Sequence, residues 1–401
     1  MKPTGFFVNV GGVKTDLIGI FDARRSAKIS DTGFKSFNNN NLDLADIFEP
    51  YTSGTKAATT KYVVYSTGLD LCDVFARFPL FPTASGTIIS SSTERFFWIS
   101  IYDNWVLAVR NMNGGTSNSI YYSNDYGKSW TTYTNAGWSS LSWRGVASYG
   151  TNAVACSTTS VWVTSNKTSW TNVTPGGSSS NLFGVSIYEN RVLLADGTNG
   201  LYSYTLESSW IKQTDTDITY PRSVSITKNG ANYIVVVCCT ANSALNEPTN
   251  VIYCSNFNTS VGNNVFTSAK LKVNQQYTVL APPGCVSMDG LNGVCCSFTG
   301  NTPASTGFSR IKYTTDGGAL WTDSKSGGAN ISNALYVCSL SGNIAIAGGY
   351  SSTYFISTDT GMTWTSLLVT NPLSACAVYN DKIVAPDYSA NAVKVLYGDA
   401  S

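Results

Sequence analysis

Asp125, Asp316 and Asp359 each stand third in an eight-residue string of one kind: Ser123-Asn-Asp125-Tyr-Gly127-Lys-Ser-Trp130, Thr314-Thr-Asp316-Gly-Gly318-Ala-Leu-Trp321 and Ser357-Thr-Asp359-Thr-Gly361-Met-Thr-Trp364. A free carboxylate could serve as a general acid or base, and glycoside hydrolysis needs two of them facing each other. An Asp two residues before Gly in a tight turn has a simpler use. It accepts backbone N–H bonds, the Gly supplies positive φ, and the Trp ring fills space between neighbouring sheets. The strings therefore read as turn pins. Other acidic residues, Asp103, Glu189, Asp289 and Asp381, also fall in turns, on the same side as the strings. Arg95, Arg110, Arg144, Arg222 and Arg310 could grip a carboxylate, yet nothing in their spacing requires them to converge.

Composition narrows the chemistry further. None of the 401 residues is a histidine, which removes Ser-His and Cys-His nucleophile pairs and His-containing zinc or iron sites. No phosphate-binding or dinucleotide fingerprint occurs, so no cofactor and no metal are expected. With 25 basic and 24 acidic residues and no basic run, nucleic-acid binding is not expected. The longest apolar run, Tyr233 to Cys239, is too short to span a bilayer, and the first residues do not start a signal peptide. Ten cysteines without a CxxC spacing read as buried small hydrophobes in a protein made in a reducing compartment.

The elements that must position these residues come from a repeat. From residue 96 onward an apolar strand, a tight polar turn and a second apolar strand return seven times, beginning with Trp98-Ile-Ser-Ile-Tyr-Asp-Asn-Trp-Val-Leu-Ala-Val109. One column stays small: Ser100, Ala147, Ser186, Ser225, Ser287, Ser339 and Ala377, at spacings of 47, 39, 39, 62, 52 and 38 residues. Such periods suit propeller blades, whose crowded innermost strands need small side chains alternating with large ones. The reading is an all-β fold: a seven-bladed β-propeller over residues 83–401. Its last strand, Val393 to the C-terminus, would leave an open edge, and Gly86-Thr-Ile-Ile-Ser-Ser91 is expected to cover it.

The octapeptides, placed between third and fourth strands, resemble those of the Asp-box (bacterial neuraminidase repeat) family, whose signature is Ser/Thr-x-Asp-x-Gly-x-x-Trp. Ser203 to Trp210 and Thr164 to Trp170 look like degraded copies. The resemblance implies a propeller with its boxes away from the active face. It also raises a sialidase reading, in which an arginine triad, a Tyr–Glu pair and an Asp would act on six blades. Here Glu94-Arg95-Phe96-Phe97 lacks the family's Ile-Pro, and the expected blade count differs by one.

Residues 1–82 carry their own repeat, Asp16-Leu-Ile-Gly-Ile-Phe21, Asp43-Leu-Ala-Asp-Ile-Phe48 and Asp70-Leu-Cys-Asp-Val-Phe75, each behind an aromatic strand-like segment. Asp before an apolar turn reads as a helix N-cap, and three such small units are expected to stack. The string Leu42 to Lys56 resembles tandem repeats in structural proteins of giant DNA viruses, which implies a virion location and a docking or assembly role for this module.

In an up-and-down blade, loops between strands two and three share the face opposite the boxes with loops between blades. Near that mouth the sequence puts Arg110, Trp138, Trp143, Arg144, Phe183, Tyr220, Arg222 and Tyr350, aromatic and cationic groups suited to a glycan or protein surface. The expectation is a non-enzymatic attachment protein, bound to other virion or assembly proteins through residues 1–82 and to a glycan or host protein through the propeller. The alternatives are an assembly factor that grips a partner protein, and a sialidase-like glycosidase.

Overall fold

The computed structural model describes residues 7–10, 13–16, 84–89, 95–111, 119–138, 141–179, 181–239, 250–271, 285–296, 310–331, 335–349, 353–368, 375–389 and 392–399. Backbone contacts divide the chain into Met1–Phe78 and Pro79–Ser401. In the first unit the described residues form one antiparallel hairpin, Phe7–Val10 with Val13–Asp16, in which Asp16 pairs with Phe7. Apart from Asp16, the three expected helical turns lie outside the described residues.

The second unit is all-β; its described residues include one short 3-10 turn, Ala136–Trp138. Six sheets each contain a four-stranded antiparallel meander of strands consecutive in the chain. Their first strands are Arg95–Tyr102, Trp143–Tyr149, Leu182–Tyr188, Pro221–Asn229, Cys285–Asp289 and Leu335–Ser341. A further sheet is composite: Ala377–Tyr379, Lys382–Ser389 and Ala392–Asp399 are joined by Ala84–Ile89, with Gly86 opposite Val395. The first strand of each sheet touches that of the next, and Ala377–Tyr379 touches Arg95–Tyr102, so the first strands close a ring. This is a β-propeller.

The second strands explain the longest apolar runs. A sheet with neighbours on both faces buries alternate residues to opposite sides, so the middle strand must be apolar throughout. Val106–Val109, Ala153–Cys156, Val192–Ala195 and Val235–Cys238 are all fully buried. The adjacent Cys238 and Cys239, like Cys295 and Cys296, belong to such runs, and the nine described cysteines are free thiols, all buried. Burial pushes the thiols of Cys156, Cys239 and Cys295 up to about 12, so these three stay neutral small apolar groups. At the rim, Lys270–Leu271 runs parallel to Leu320–Trp321, and Lys325–Ser326 to Thr363–Trp364. Chain leaving one sheet thus covers the outer edge of the next.

The small column has a second use besides fitting a crowded axis. Ser100 Oγ accepts the N–H of Ser148 at 2.9 Å, Ser186 that of Ile226 at 3.2 Å, and Ser225 that of Met288 at 3.0 Å. Ser287 accepts from Leu340 and Ser339 from Val378, each at 3.0 Å. In every case the donor is the residue just after the small column of the next sheet. Each hydroxyl satisfies a backbone group on the free edge of the neighbouring first strand, where an unmet donor would be costly. Ala147 and Ala377 supply no hydroxyl, and none of these bonds is made there.

Candidate functional site

The octapeptide turns are built alike. Ser123, Thr314 and Ser357 point their hydroxyls at Asp125, Asp316 and Asp359 over 2.6, 2.8 and 2.7 Å. The same hydroxyls accept the N–H of Gly127, Gly318 and Gly361, which sit at φ of 93°, 96° and 87°. Each Asp Oδ1 then accepts a backbone N–H four residues on, and each Trp indole donates to the Gly carbonyl at 2.8 to 2.9 Å. Partial burial works against the Asp125 charge, but bonds from Ser123, Ser129 and Lys128 outweigh it and hold the carboxyl below its ordinary value. These carboxylates are occupied by their own turns. In the shortened copy, Asn166 takes the aspartate's place, accepting from Thr168 and Ser169 at 3.0 and 2.8 Å.

The hairpin turns between first and second strands face the same way, with Asp103, Glu189 and Asn380 at φ near +54°. Their acidic side chains are engaged too. Glu189 holds Lys228 Nζ at 3.0 Å and the Tyr233 hydroxyl, and Asp289 accepts the Gly342 N–H at 2.6 Å. Beside these turns runs an arc of tyrosines the sequence reading passed over. Tyr379, Tyr102, Tyr149 and Tyr188 stand two residues past the small column of consecutive sheets, with ring centroids 4.7, 4.6 and 4.5 Å apart. Their common offset from the small column was the signal available for finding them.

At the opposite mouth, five sheets share an irregularity in pairing. The register shifts between Phe96 and Trp98, Trp143 and Gly145, Leu182 and Gly184, Pro221 and Ser223, and Leu335 and Val337. The skipped residue is three before the small column each time: Phe97, Arg144, Phe183, Arg222 and Tyr336. A bulge breaks the in-and-out alternation and re-aims its side chain. In three consecutive sheets the bulged residues are Arg144, Phe183 and Arg222, and each precedes a channel-lining residue, Gly145, Gly184 or Ser223. Inside the mouth the first strands enclose a cavity of ≈ 150 Å³. Trp98 is the one large aromatic ring along its wall, and it packs against three of the hydrophobic clusters between sheets.

Phe183 is the centre of the bulged group. Arg222 Cζ lies 3.7 Å from its ring centroid and Arg144 Cζ 5.9 Å from it. Gly197 backs the ring: a Cβ there would stand 2.4 Å from Phe183 Cε2. Gly184 lets the next sheet approach, since a Cβ on it would stand 2.7 Å from the Arg222 carbonyl oxygen. Burial, and then the Arg144 charge, push the Arg222 guanidinium below its ordinary value. Among the described residues no carboxylate pairs with either guanidinium, and Arg144 Nε is buried without a hydrogen-bond partner. Such an unmet donor costs about 1–3 kcal/mol, and stacking on Phe183 returns about 0.5–2 kcal/mol.

The other expected contact residues divide. Trp138 and Trp143 are 1 % and 0 % exposed and meet edge to face at 5.4 Å, with Trp162 and Trp170 also against Trp138. They are core between the first two sheets, so the expectation that they meet a ligand is corrected. Tyr220 is exposed at the mouth, at φ 45°. The backbone of Arg110 pairs with Phe96 at the mouth end of its strand. Tyr350 lies outside the described residues. Among the described residues no group of three or more cysteines and acidic residues could hold a metal ion, and no helix is long and apolar enough to cross a membrane.

The fold is shared with solved propellers. A structure of YCF48 bound to D1 peptide matches at TM-score 0.52 and 12% identity, over 80% of this chain and 100% of that one. Virginiamycin B lyase from Staphylococcus aureus matches at 0.54 and 11%, over 78% and 97%. The WD40 β-propeller domain of Doa1 matches at 0.53 and 13%, over 80% and 97%. At such identities the likeness concerns the fold alone. No family model and no curated protein matches the chain.

Proposed function

We propose that this chain is a non-catalytic binding propeller of seven blades, closed by the strand at 84–89, that holds a protein partner on its arginine-bearing mouth. The observation that carries the reading is the Arg144–Phe183–Arg222 group, two cations on one ring with no counter-charge among the described residues. The neighbours include both a lyase and a peptide-bound protein, so the fold does not decide between enzyme and binder. The site favours the binder, because Asp125, Asp316, Asp359, Glu189 and Asp289 all spend their carboxylates on structural bonds. The shared bonding of the three octapeptide turns supports kinship with Asp-box propellers.

Residues 1–82 would then fix the propeller to a larger assembly, a virus particle in the reading from the N-terminal repeats. The test uses the full chain as bait, alongside Arg144→Gln/Arg222→Gln and Asp103→Asn/Asp381→Asn. Retention of a partner that is lost only with the arginine pair supports the assignment. Loss only with the opposite-face pair refutes it. Turnover of fluorogenic sialosides or other glycosides would overturn the non-catalytic reading, and a glycan-array signal lost with the arginine pair would replace the protein partner by a sugar.

A further inference from the structure

Six arginines follow residue 79, and five of them stand at the same ends of their strands. Arg95 opens the first strand of its sheet, Arg144 and Arg222 are second in theirs, Arg110 is next to last in a second strand, and Arg310 directly precedes a third strand. In an antiparallel meander all these positions lie at the mouth. The sixth, Arg191, begins a second strand beside the hairpin turns and is paired with Glu189 at 3.5 Å. A net charge of +1 therefore conceals a sorting of arginine positions to one end of the strands. Two mouth arginines carry buried donors without partners, Nε of Arg144 and Nη1 of Arg310. Asp196, a buried acid near this end, is no counter-ion for them: it accepts from Ser179, Thr198 and Asn199.

We infer that this mouth binds an acidic peptide segment, one of whose carboxylates lodges against Arg144 and Arg222 beside Phe183. The inference rests on the proposed function and gives its partner a chemistry. A carboxylate accepts the planar fork of donors that a guanidinium presents, and it supplies the charge the group lacks. Phe183, pinned by Gly197, keeps both cations in place before the ligand arrives, which limits the cost of ordering them. A nucleic-acid backbone fits less well, because it asks for a track of cations at regular steps, and here the close pair is broken by an aromatic ring.

Labelled hexaglutamate, hexaglutamine and hexathymidylate are titrated into the full chain and followed by fluorescence anisotropy at low and at physiological salt. Hexaglutamate should bind, more weakly as salt rises, and at least about tenfold more tightly than hexaglutamine. Arg144→Gln and Arg222→Gln should each weaken it severalfold, with Arg222→Lys between them and the parent. Hexaglutamine binding as tightly as hexaglutamate overturns the inference while leaving the mouth as the docking face. Hexathymidylate binding more tightly through the same arginines overturns the choice of a peptide. Should the glutamine variants fail to fold, the parent chain still decides: hexaglutamate should raise its melting temperature above that with hexaglutamine at equal ionic strength. Equal melting temperatures would overturn the inference.

Discussion

At Asp359 the carboxylate is tied to Ser357, to the N–H of Thr363 and to its hydroxyl, a set of bonds that an amide can largely reproduce, as Asn166 does in the second sheet. Asp359→Asn is therefore expected to melt close to the parent, and Asp359→Ala to lose about 1–2 kcal/mol in denaturant titration. Neither should alter hexaglutamate binding. At the mouth, Gly197→Ala would drive a methyl into the Phe183 ring, costing about 1–3 kcal/mol. Its affinity for hexaglutamate should drop with the ring's displacement, a double readout that separates it from the turn variants. Glu189 gives the acid side of the stability curve. The Tyr233 hydroxyl and Lys228 hold its carboxyl below the ordinary 4.5, so its contribution is complete above that value and fades as pH falls through it. Melting temperatures measured from about pH 5 down to about pH 3 should fall, and Glu189→Gln should flatten that slope.

Among the elements, the first strands carry most of the order that could be read in advance. The small column follows from spacing alone, because only a repeated position at a crowded axis stays small through Ser100, Ala147, Ser186, Ser225, Ser287, Ser339 and Ala377. Its hydrogen bonds were not legible, since they depend on which backbone donors face outward across the gap between sheets. Ser287→Ala should lose about 1 kcal/mol by stranding the Leu340 N–H, and Ala147→Ser should gain a comparable bond to Ile187; differential scanning calorimetry checks both. The bulges were hidden for a related reason. A one-residue slip leaves the composition of a strand unchanged, so Arg144, Phe183 and Arg222 were found as mouth residues without their common register. Trp138 and Trp143 misled because a loop aromatic reads the same whether it caps a core or meets solvent.

For the whole molecule, the arrangement of the mouth depends on the ring being shut. Arg144 and Arg222 meet Phe183 across the gaps between neighbouring sheets, and an open ring would let the first and last sheets drift. Closure rests on one pairing of distant segments, Ala84–Ile89 along Ala392–Asp399, nearly the whole length of the second unit apart. Thr87 and Lys394 stand directly opposite each other in that pairing, at a separation a disulfide can bridge. The double variant Thr87→Cys/Lys394→Cys, oxidised in the folded state, should form that bond quantitatively and raise the melting temperature. A folded protein whose two new thiols stay free under the same oxidation would contradict the closed ring and the mouth built on it.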